Sequence, residues 1–339
     1  MRVLIVGLGS IGRRHLANLR QLLPQAEVIV LRRQGGLYEP APGGARVIRS
    51  LEDALRLAPQ AAIVASPAAC HISDAMVLAQ HGVHLLVEKP LSDSMKGVDE
   101  LIRECEQRAL TLMVAYNFRF YPPLQRLRDA LLGGDIGRIV SIRAAVGQYL
   151  PDWRRDSDYR QGVSGRRELG GGAVLELSHE LDYVRWLCGE VTEVFGLTER
   201  LSDLEIDVED TAEVLLRFAS GAIGSVHLDM VQQPMARGCR VVGTEGTLLW
   251  DGVTHRVQLW NTRAKIWHDL HPEAPLERNL MYLAELQHFI DCARGECRPR
   301  VEAEDARRVL KIALAIKASA AQGRPVKLQQ AGESERCVH

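Results

Sequence analysis

The 339-residue chain has no apolar run near the ~18 residues that a membrane-crossing helix requires. Nor does one charge dominate, with 42 Lys and Arg against 43 Asp and Glu. Without a field of one sign, nothing draws nucleic acid or an anionic membrane, and a small molecule is the expected partner. Cysteine is sparse and odd in number, seven in all. The closest pair, Cys292 and Cys297, matches no zinc spacing and no histidine pair follows it, so all seven read as reduced thiols of a cytoplasmic protein. The opening MRVLIVG holds one basic residue and an apolar run cut short by Gly7, which is not the pattern of a secretory leader.

What is present points to two domains, because the length exceeds one ordinary core. Residues 2–6 (RVLIV) form a β-rich run, and Gly7-Leu8-Gly9-Ser10-Ile11-Gly12 follows at once. A helical pattern comes next, with Ile11, Leu16, Leu19, Leu22 and Leu23 on one side. A glycine triplet of this spacing carries weight when it joins a strand to a helix. Gly7 permits the tight turn, Gly9 lets backbone approach a pyrophosphate, and Gly12 lets helix and sheet pack closely. The helix N-terminus offers the phosphates free N–H groups and partial positive charge.

The second strand, residues 28–31, ends at Arg32 and Arg33, where an NAD-binding fold places an acid for the ribose hydroxyls. Two guanidinium groups would instead attract a 2′-phosphate, so the expected cofactor is NADP or NAD with NADP favoured. The alternation continues with a helix at 51–57, a strand at 61–65 and the turn Ser66-Pro67. A helix carrying His71 and a strand at 83–87 come next. The strand at 83–87 leads into Glu88-Lys89-Pro90. A helix at 95–108 and a strand at 110–114 then precede Tyr116-Asn117-Phe118-Arg119-Phe120. This order implies βαβ units and a parallel sheet. Lys89 falls at the carboxyl end of a strand, where open α/β sheets place their chemistry, and Pro90 confines it to extended backbone.

After residue 120 the pattern changes to strand-like runs at 139–146, 192–201, 211–218, 222–230 and 240–242, with a hairpin turn at Gly243–Gly246. The expected architecture is α/β: an N-terminal Rossmann doubly wound parallel sheet (1–120), then an α+β domain with a large, mainly antiparallel sheet (121–328). Residues 329–339 read as a disordered tail. One helix, 173–188, interrupts the strands. Its apolar stripe leaves Glu176, His179 and Tyr183 opposite, facing either water or the cleft between the domains. The loop at 149–168 mixes aromatics and arginines. Within it, Trp153, Arg154, Tyr159 and Arg160 suit a polyhydroxylated or anionic ligand. Amphipathic helices at 279–293 and 303–320 close the chain.

These motifs resemble the Gfo/Idh/MocA oxidoreductase family along nearly the whole length: VGLGSIGRRH, SPAACH (66–71), VEKPL (87–91), YNFRF (116–120), GGGAVLELSHELDY (170–183) and MYLAELQHF (281–289). The variant LSHELDY, with the preceding YLPDWR, is similar to a branch from bacterial surface-polysaccharide and nonulosonic-acid pathways. The resemblance implies hydride transfer between NAD(P) and a secondary alcohol or ketone of a sugar, sugar acid, nucleotide sugar or cyclitol. It assigns Lys89 and His179 to catalysis, with Glu176 or Asp182 as the accompanying acid. The family's helix usually reads D-x-G-x-H-x-x-D, and this chain has Glu for Asp and one residue fewer before the histidine. Ser10, Ile11, Ser66, Pro67, His71, Glu88, Lys89 and Asn117 join the glycines and Arg32 and Arg33 as cofactor candidates. Arg119 and Tyr183 join Lys89, His179 and the four loop residues as substrate candidates. No metal is expected.

The chemistry is consistent with those residues. Oxidising a carbinol needs a base for the hydroxyl proton, and histidine titrates near neutrality. A lysine cation stabilises the developing alkoxide. Two other readings use the same fold: a hydrolase that oxidises its sugar transiently with NAD, and a non-catalytic dinucleotide sensor. A broad sheet with one free face makes a homodimer or homotetramer the expected assembly.

Overall fold

The structure, a computed structural model, describes residues 1–33, 42–154, 157–273 and 275–328. The expected tail at 329–339 and two residues of the arginine-rich loop, Arg155 and Asp156, lie outside the described residues. The chain forms two compact units. One is Met1–Phe120 with Glu277–Leu310, and the other is Tyr121–Leu276 with the chain from Lys311 onward.

The first unit runs β1 (Arg2–Val6), α1 (Ser10–Leu22), β2 (Glu27–Leu31), β3 (Arg46–Ile48), α2 (Leu51–Arg56), β4 (Ala61–Val64), α3 (His71–Gln80), β5 (His84–Val87), α4 (Val98–Gln107) and β6 (Leu112–Val114). The strands pair in the order β3-β2-β1-β4-β5-β6, each pair parallel. This is the expected doubly wound sheet. Its central strands are apolar and buried without alternation, as a sheet covered on both faces requires. Strand order reverses between β1 and β4. The carboxyl ends of those strands therefore open the crevice in which sheets of this topology hold ligands.

The second unit comprises α5 (Pro122–Leu132), β7 (Ile139–Gly147), α6 (Ala173–Glu176), α7 (His179–Cys188), β8 (Val191–Glu199), β9 (Thr211–Phe218), β10 (Ile223–Asp229), β11 (Ala236–Gly243), β12 (Gly246–Asp251), β13 (Val257–Asn261) and β14 (Ile266–His271). After them come α8 (Asn279–Ala293), α9 (Ala303–Gln322) and β15 (Val326–Lys327). The nine strands order as β14-β13-β12-β11-β7-β10-β9-β8-β15. All pairs are antiparallel except β7 with β10. Alternation is clear in β9, where Ala212, Val214, Leu216 and Phe218 are buried and Glu213, Leu215 and Arg217 are exposed.

Two expectations change. Residues Glu277–Leu310 pack with the first unit rather than the second. Asn18 and Asn279 exchange side-chain hydrogen bonds at 2.8 and 3.3 Å, and the Arg14 guanidinium lies 4.4 Å over the Tyr282 ring. Both contacts fasten α8 behind α1. The single helix expected at 173–188 is two helices, broken at Leu177 and Ser178. The first is anchored by Glu209, whose carbonyl accepts from Ala173 N at 3.0 Å and whose carboxylate accepts from Val174 N at 3.4 Å. The second begins where Glu180 enters a buried ion pair with Arg237 of β11.

Candidate active site

The glycine turn after β1 is a steric necessity. Gly7 sits at φ +95°, and a β-carbon on it would lie 2.6 Å from the Ala65 carbonyl oxygen at the end of β4. A β-carbon on Gly12 would lie 2.2 Å from the Gly7 oxygen. Gly9 differs: it caps α1 without a side-chain bond, and the space over it is open among the described residues. Two glycines thus close the turn on its own scaffold while the third leaves room at a helix N-terminus. That is the cradle a pyrophosphate requires. Ser10 is exposed and Ile11 half-buried at the same end of the helix.

Ser66 and Pro67 follow β4, Glu88 and Lys89 follow β5, and Asn117 lies beyond β6 in a short 3-10 turn, Asn117–Phe120. With the glycine turn they form one row along the carboxyl edge of the sheet. Asn117 is 3% exposed, yet its Oδ1 has no hydrogen-bond partner among the described residues. An unpaired buried amide oxygen costs about 1–3 kcal/mol, and a donor from a bound nicotinamide cofactor would relieve it.

Several candidates act on this edge from behind. Glu88 is buried; it accepts from His15 Nε2 at 2.7 Å and from Lys89 N at 3.2 Å. Its carboxylate therefore ties α1 to the segment carrying Lys89. His15, one α-helical turn beyond Gly12, is fully buried and was not singled out from sequence. Its only signal was an imidazole on the inward face of α1. His71 was expected beside the nucleotide, but its two ring nitrogens face carbonyl oxygens, Ser66 O at 2.7 Å and Pro90 O at 2.9 Å, and the neutral ring donates to one of them. Burial lowers its pKa. It braces the Ser66 and Lys89 loops against each other, and its ring has no nitrogen left for a ligand. The Lys89–Pro90 peptide is cis.

The arginines divide. Arg33 donates to Asp74 at 3.0 Å, with a second bond to the other carboxylate oxygen, and Ser66 Oγ donates to the same carboxylate at 2.9 Å. The pairing raises the pKa of Arg33. Asp74 is buried and, like His15, was not anticipated. Arg32 is half-buried, and its carbonyl accepts from Arg49 at 2.9 Å. Arg119, expected at the substrate, is 5% exposed and lies 3.6 Å from Asp305. It is an interior residue of the first unit.

In the second unit, His179 is the first residue of α7 and half-buried. Next to it Glu180 is 0% exposed and receives two bonds from Arg237, at 2.8 and 3.1 Å. The helix break removes the face that was to unite Glu176, His179 and Tyr183. Glu176 accepts from Ser164 Oγ at 3.1 Å, while Asp182 and Tyr183 are both fully buried. Tyr183 donates to Gly238 O at 3.5 Å and meets Trp250 edge-on at 5.6 Å, and burial raises its pKa far above the usual range. It is a core residue. The glycines before α6 are packed tightly: a β-carbon on Gly171 would lie 2.4 Å from Val163 O, and one on Gly172 2.4 Å from Glu209 Oε1.

The loop at 149–168 folds into successive 3-10 turns. Trp153 Nε1 donates to Gln148 O at 2.9 Å. The Tyr159 hydroxyl accepts from Glu205 N at 3.4 Å. Arg160 is paired with Asp158 and Glu205, at 2.9 and 3.2 Å, so its charge is already balanced, whereas Arg154 is exposed.

Comparison with known proteins agrees with this geometry. Residues 1–116 match the GFO_IDH_MocA oxidoreductase family with an NAD-binding Rossmann fold, and residues 124–249 match the GFO/IDH/MocA C-terminal domain. The chain belongs to this family. It is 28% identical to a myo-inositol 2-dehydrogenase of Thermotoga maritima, covering 97% of this chain and 99% of that one. To an NAD(+)-dependent scyllo-inositol 2-dehydrogenase of Bacillus subtilis it is 27% identical, covering 97% and 96%. Among solved structures, the WlbA dehydrogenase from Bordetella pertussis, in complex with NADH and UDP-GlcNAcA, superposes with a TM-score of 0.83 at 27% identity, covering 98% and 99%. The protein is an oxidoreductase of the family whose N-terminal domain is an NAD-binding Rossmann fold. Among the described residues, no helix is long and apolar enough to cross a membrane.

Proposed function

We propose that the protein exchanges hydride between NAD(H) and a ring carbinol or ketone of a sugar, sugar acid, nucleotide sugar or cyclitol, and that it works in the cytoplasm. The observation that carries this reading is the row of loops at the carboxyl edge of the parallel sheet: open space over Gly9, and the buried, unpaired Asn117 Oδ1. The glycine turn with Ser10 and Ile11 would hold the pyrophosphate, and Ser66, Pro67 and Asn117 would line the rest of the cofactor. When bound, NAD supplies the hydride acceptor. In our reading His179 takes the hydroxyl proton during oxidation and returns it during reduction. Lys89 stabilises the developing alkoxide by its charge. The second unit binds the substrate.

The cofactor preference follows from Asp74. A guanidinium already held by a buried carboxylate has little charge to offer a 2′-phosphate, so Arg33 favours NADP less than its position in the sequence suggests. We therefore place NAD ahead of NADP, with Arg32 as the residue through which NADP would be accepted. The likeness to WlbA, whose structure contains a UDP-linked sugar acid, makes nucleotide-sugar acids the first substrates to try and inositols the second. The open face of the large sheet exposes Leu197, Leu215 and Ile223, each 56–58%, on the neighbouring strands β8, β9 and β10. We infer that a second copy of the chain covers it.

The deciding experiment follows NADH absorbance with UDP-sugar acids, inositols and free sugar acids, using NAD and NADP in parallel. Steady NADH formation supports the proposal. Glycoside cleavage without net NADH identifies the transient-oxidation hydrolase, and tight NADH binding with neither outcome identifies a sensor. Light scattering of the purified protein tests self-association, and a monomer at micromolar concentration refutes it.

A further inference from the structure

Cys292 and Cys297, which read from sequence as unrelated reduced thiols, come together at the end of α8 with their sulfurs 3.3 Å apart. They share one histidine. Cys292 Sγ lies 3.6 Å from His288 Nε2, and Cys297 Sγ lies 3.7 Å from His288 Nδ1. The turn between the cysteines is tight: Gly295 sits at φ +79°, and the Gly295 and Glu296 amides donate back to Cys292 O and Asp291 O. The two sulfurs differ in access. Cys292 is 4% exposed and Cys297 is exposed.

A set of one imidazole and two thiols within 4.8 Å of one another also has the composition of a soft-metal site. The histidine argues against that use. His288 Nε2 accepts a hydrogen bond from the Arg300 amide at 3.0 Å, so in the neutral ring the proton is on Nδ1. One lone pair is engaged and the other nitrogen carries hydrogen, which leaves nothing for a metal. The same tautomer turns an N–H toward Cys297 Sγ, the sulfur open to solvent.

We propose that Cys292 and Cys297 are a redox pair that closes to a disulfide when the protein meets a hydroperoxide. The Cys297 thiolate attacks the distal oxygen of the peroxide. A sulfur–oxygen bond forms, the oxygen–oxygen bond breaks, and the departing alkoxide takes up the proton lost by the thiol. Cys292 then attacks the sulfenyl sulfur, the disulfide forms, and hydroxide leaves as water with the Cys292 proton. The two thiols lose two electrons and the peroxide becomes an alcohol and water, or two waters for hydrogen peroxide. Burial pushes the Cys292 thiol up to about 12, so it stays protonated until its partner is activated. The order of events therefore starts at Cys297. A dithiol reductant reverses the bond, as expected of an exposed cytosolic disulfide.

The test treats the full chain with hydrogen peroxide, alkylates the remaining thiols and maps peptides without reduction. The expected result is a Cys292–Cys297 link that forms about tenfold faster than any other cysteine oxidises, is opened by dithiothreitol and is absent from Cys297→Ser. In Cys292→Ser the sulfenic acid on Cys297 should persist and react with dimedone. His288→Asn should slow link formation several-fold. Full alkylation of both cysteines in the peroxide-treated wild type overturns the proposal. So does a bound zinc ion that shields both thiols until a chelator removes it. Because the peptide map is read on the wild-type protein, failure of a variant to fold does not blur the outcome.

Discussion

The carboxyl edge of the parallel sheet carries Lys89 and the start of α7 carries His179, the two side chains to which we assign the chemistry, but the two places are built differently. The Lys89 edge is shaped by backbone: glycines that admit no side chain, and a histidine wedged between two carbonyl oxygens. The start of α7 is held by charge, through the buried pair of Glu180 and Arg237. Backbone packing tolerates changes of side chain wherever there is room. A buried ion pair fails as a unit, because removing one member leaves the other charged and unsolvated.

The sharpest test of this contrast is chemical. Lys89→Met should lower kcat by about 10³-fold or more while NADH still binds. Near-full turnover would remove Lys89 from the chemistry. The next largest effect should fall on stability. Arg237→Leu takes the guanidinium away from the buried Glu180 carboxylate and should cost about 3–5 kcal/mol in urea unfolding. The double change with Glu180→Gln should recover much of that loss, and additive losses would show that the pair does not act as a unit. Asn117→Ala should weaken NADH binding about tenfold, the loss of one hydrogen bond to a ligand, and leave stability unchanged or slightly raised. A fall in stability with unaltered NADH affinity would contradict the cofactor role.

The smallest effect depends on pH. His227 bonds Asp229 at 2.9 Å and Glu213 at 2.7 Å. The Asp229 bond, with Glu213 adding to it, raises its pKa to about 9. Because the folded value lies above the unfolded one, the stabilisation is complete below an unfolded value of about 6.5 and lost as pH rises through about 9. His227 is partly exposed, so His227→Gln should cost only about 1 kcal/mol at pH 6 and nothing near pH 10. An equal cost at both values would show that packing, not charge, is what His227 contributes.

The two regions also differ in how far the chain announces them. Gly7 and Gly12 answer demands made within the turn itself, so spacing alone exposes them. The alternation in β9 is likewise local, a strand with one wet face. Partners distant in sequence leave no such trace: His15 meets Glu88 and Arg33 meets Asp74 only after the sheet has formed. The break after Glu176 was hidden because the apolar stripe continues through Leu177 and Leu181. What interrupts the helix is Glu209 anchoring one end and Arg237 fixing the other, and neither is near in the chain. The strands β13 and β14 were missed because their residues are mostly half-buried or exposed and carry little apolar signal.

The division of the chain bears on how the protein is made. Residues Glu277–Leu310 belong to the unit that begins at Met1, and α8 backs the very helix that opens at the glycine turn. A nascent chain can form the parallel sheet early, but the side of α1 that α8 covers stays bare until residues 277–310 have been made. Expression of residues 1–120 alone should therefore give an incomplete fold, and a ribosome stalled before Glu277 would display the α1 face that α8 covers.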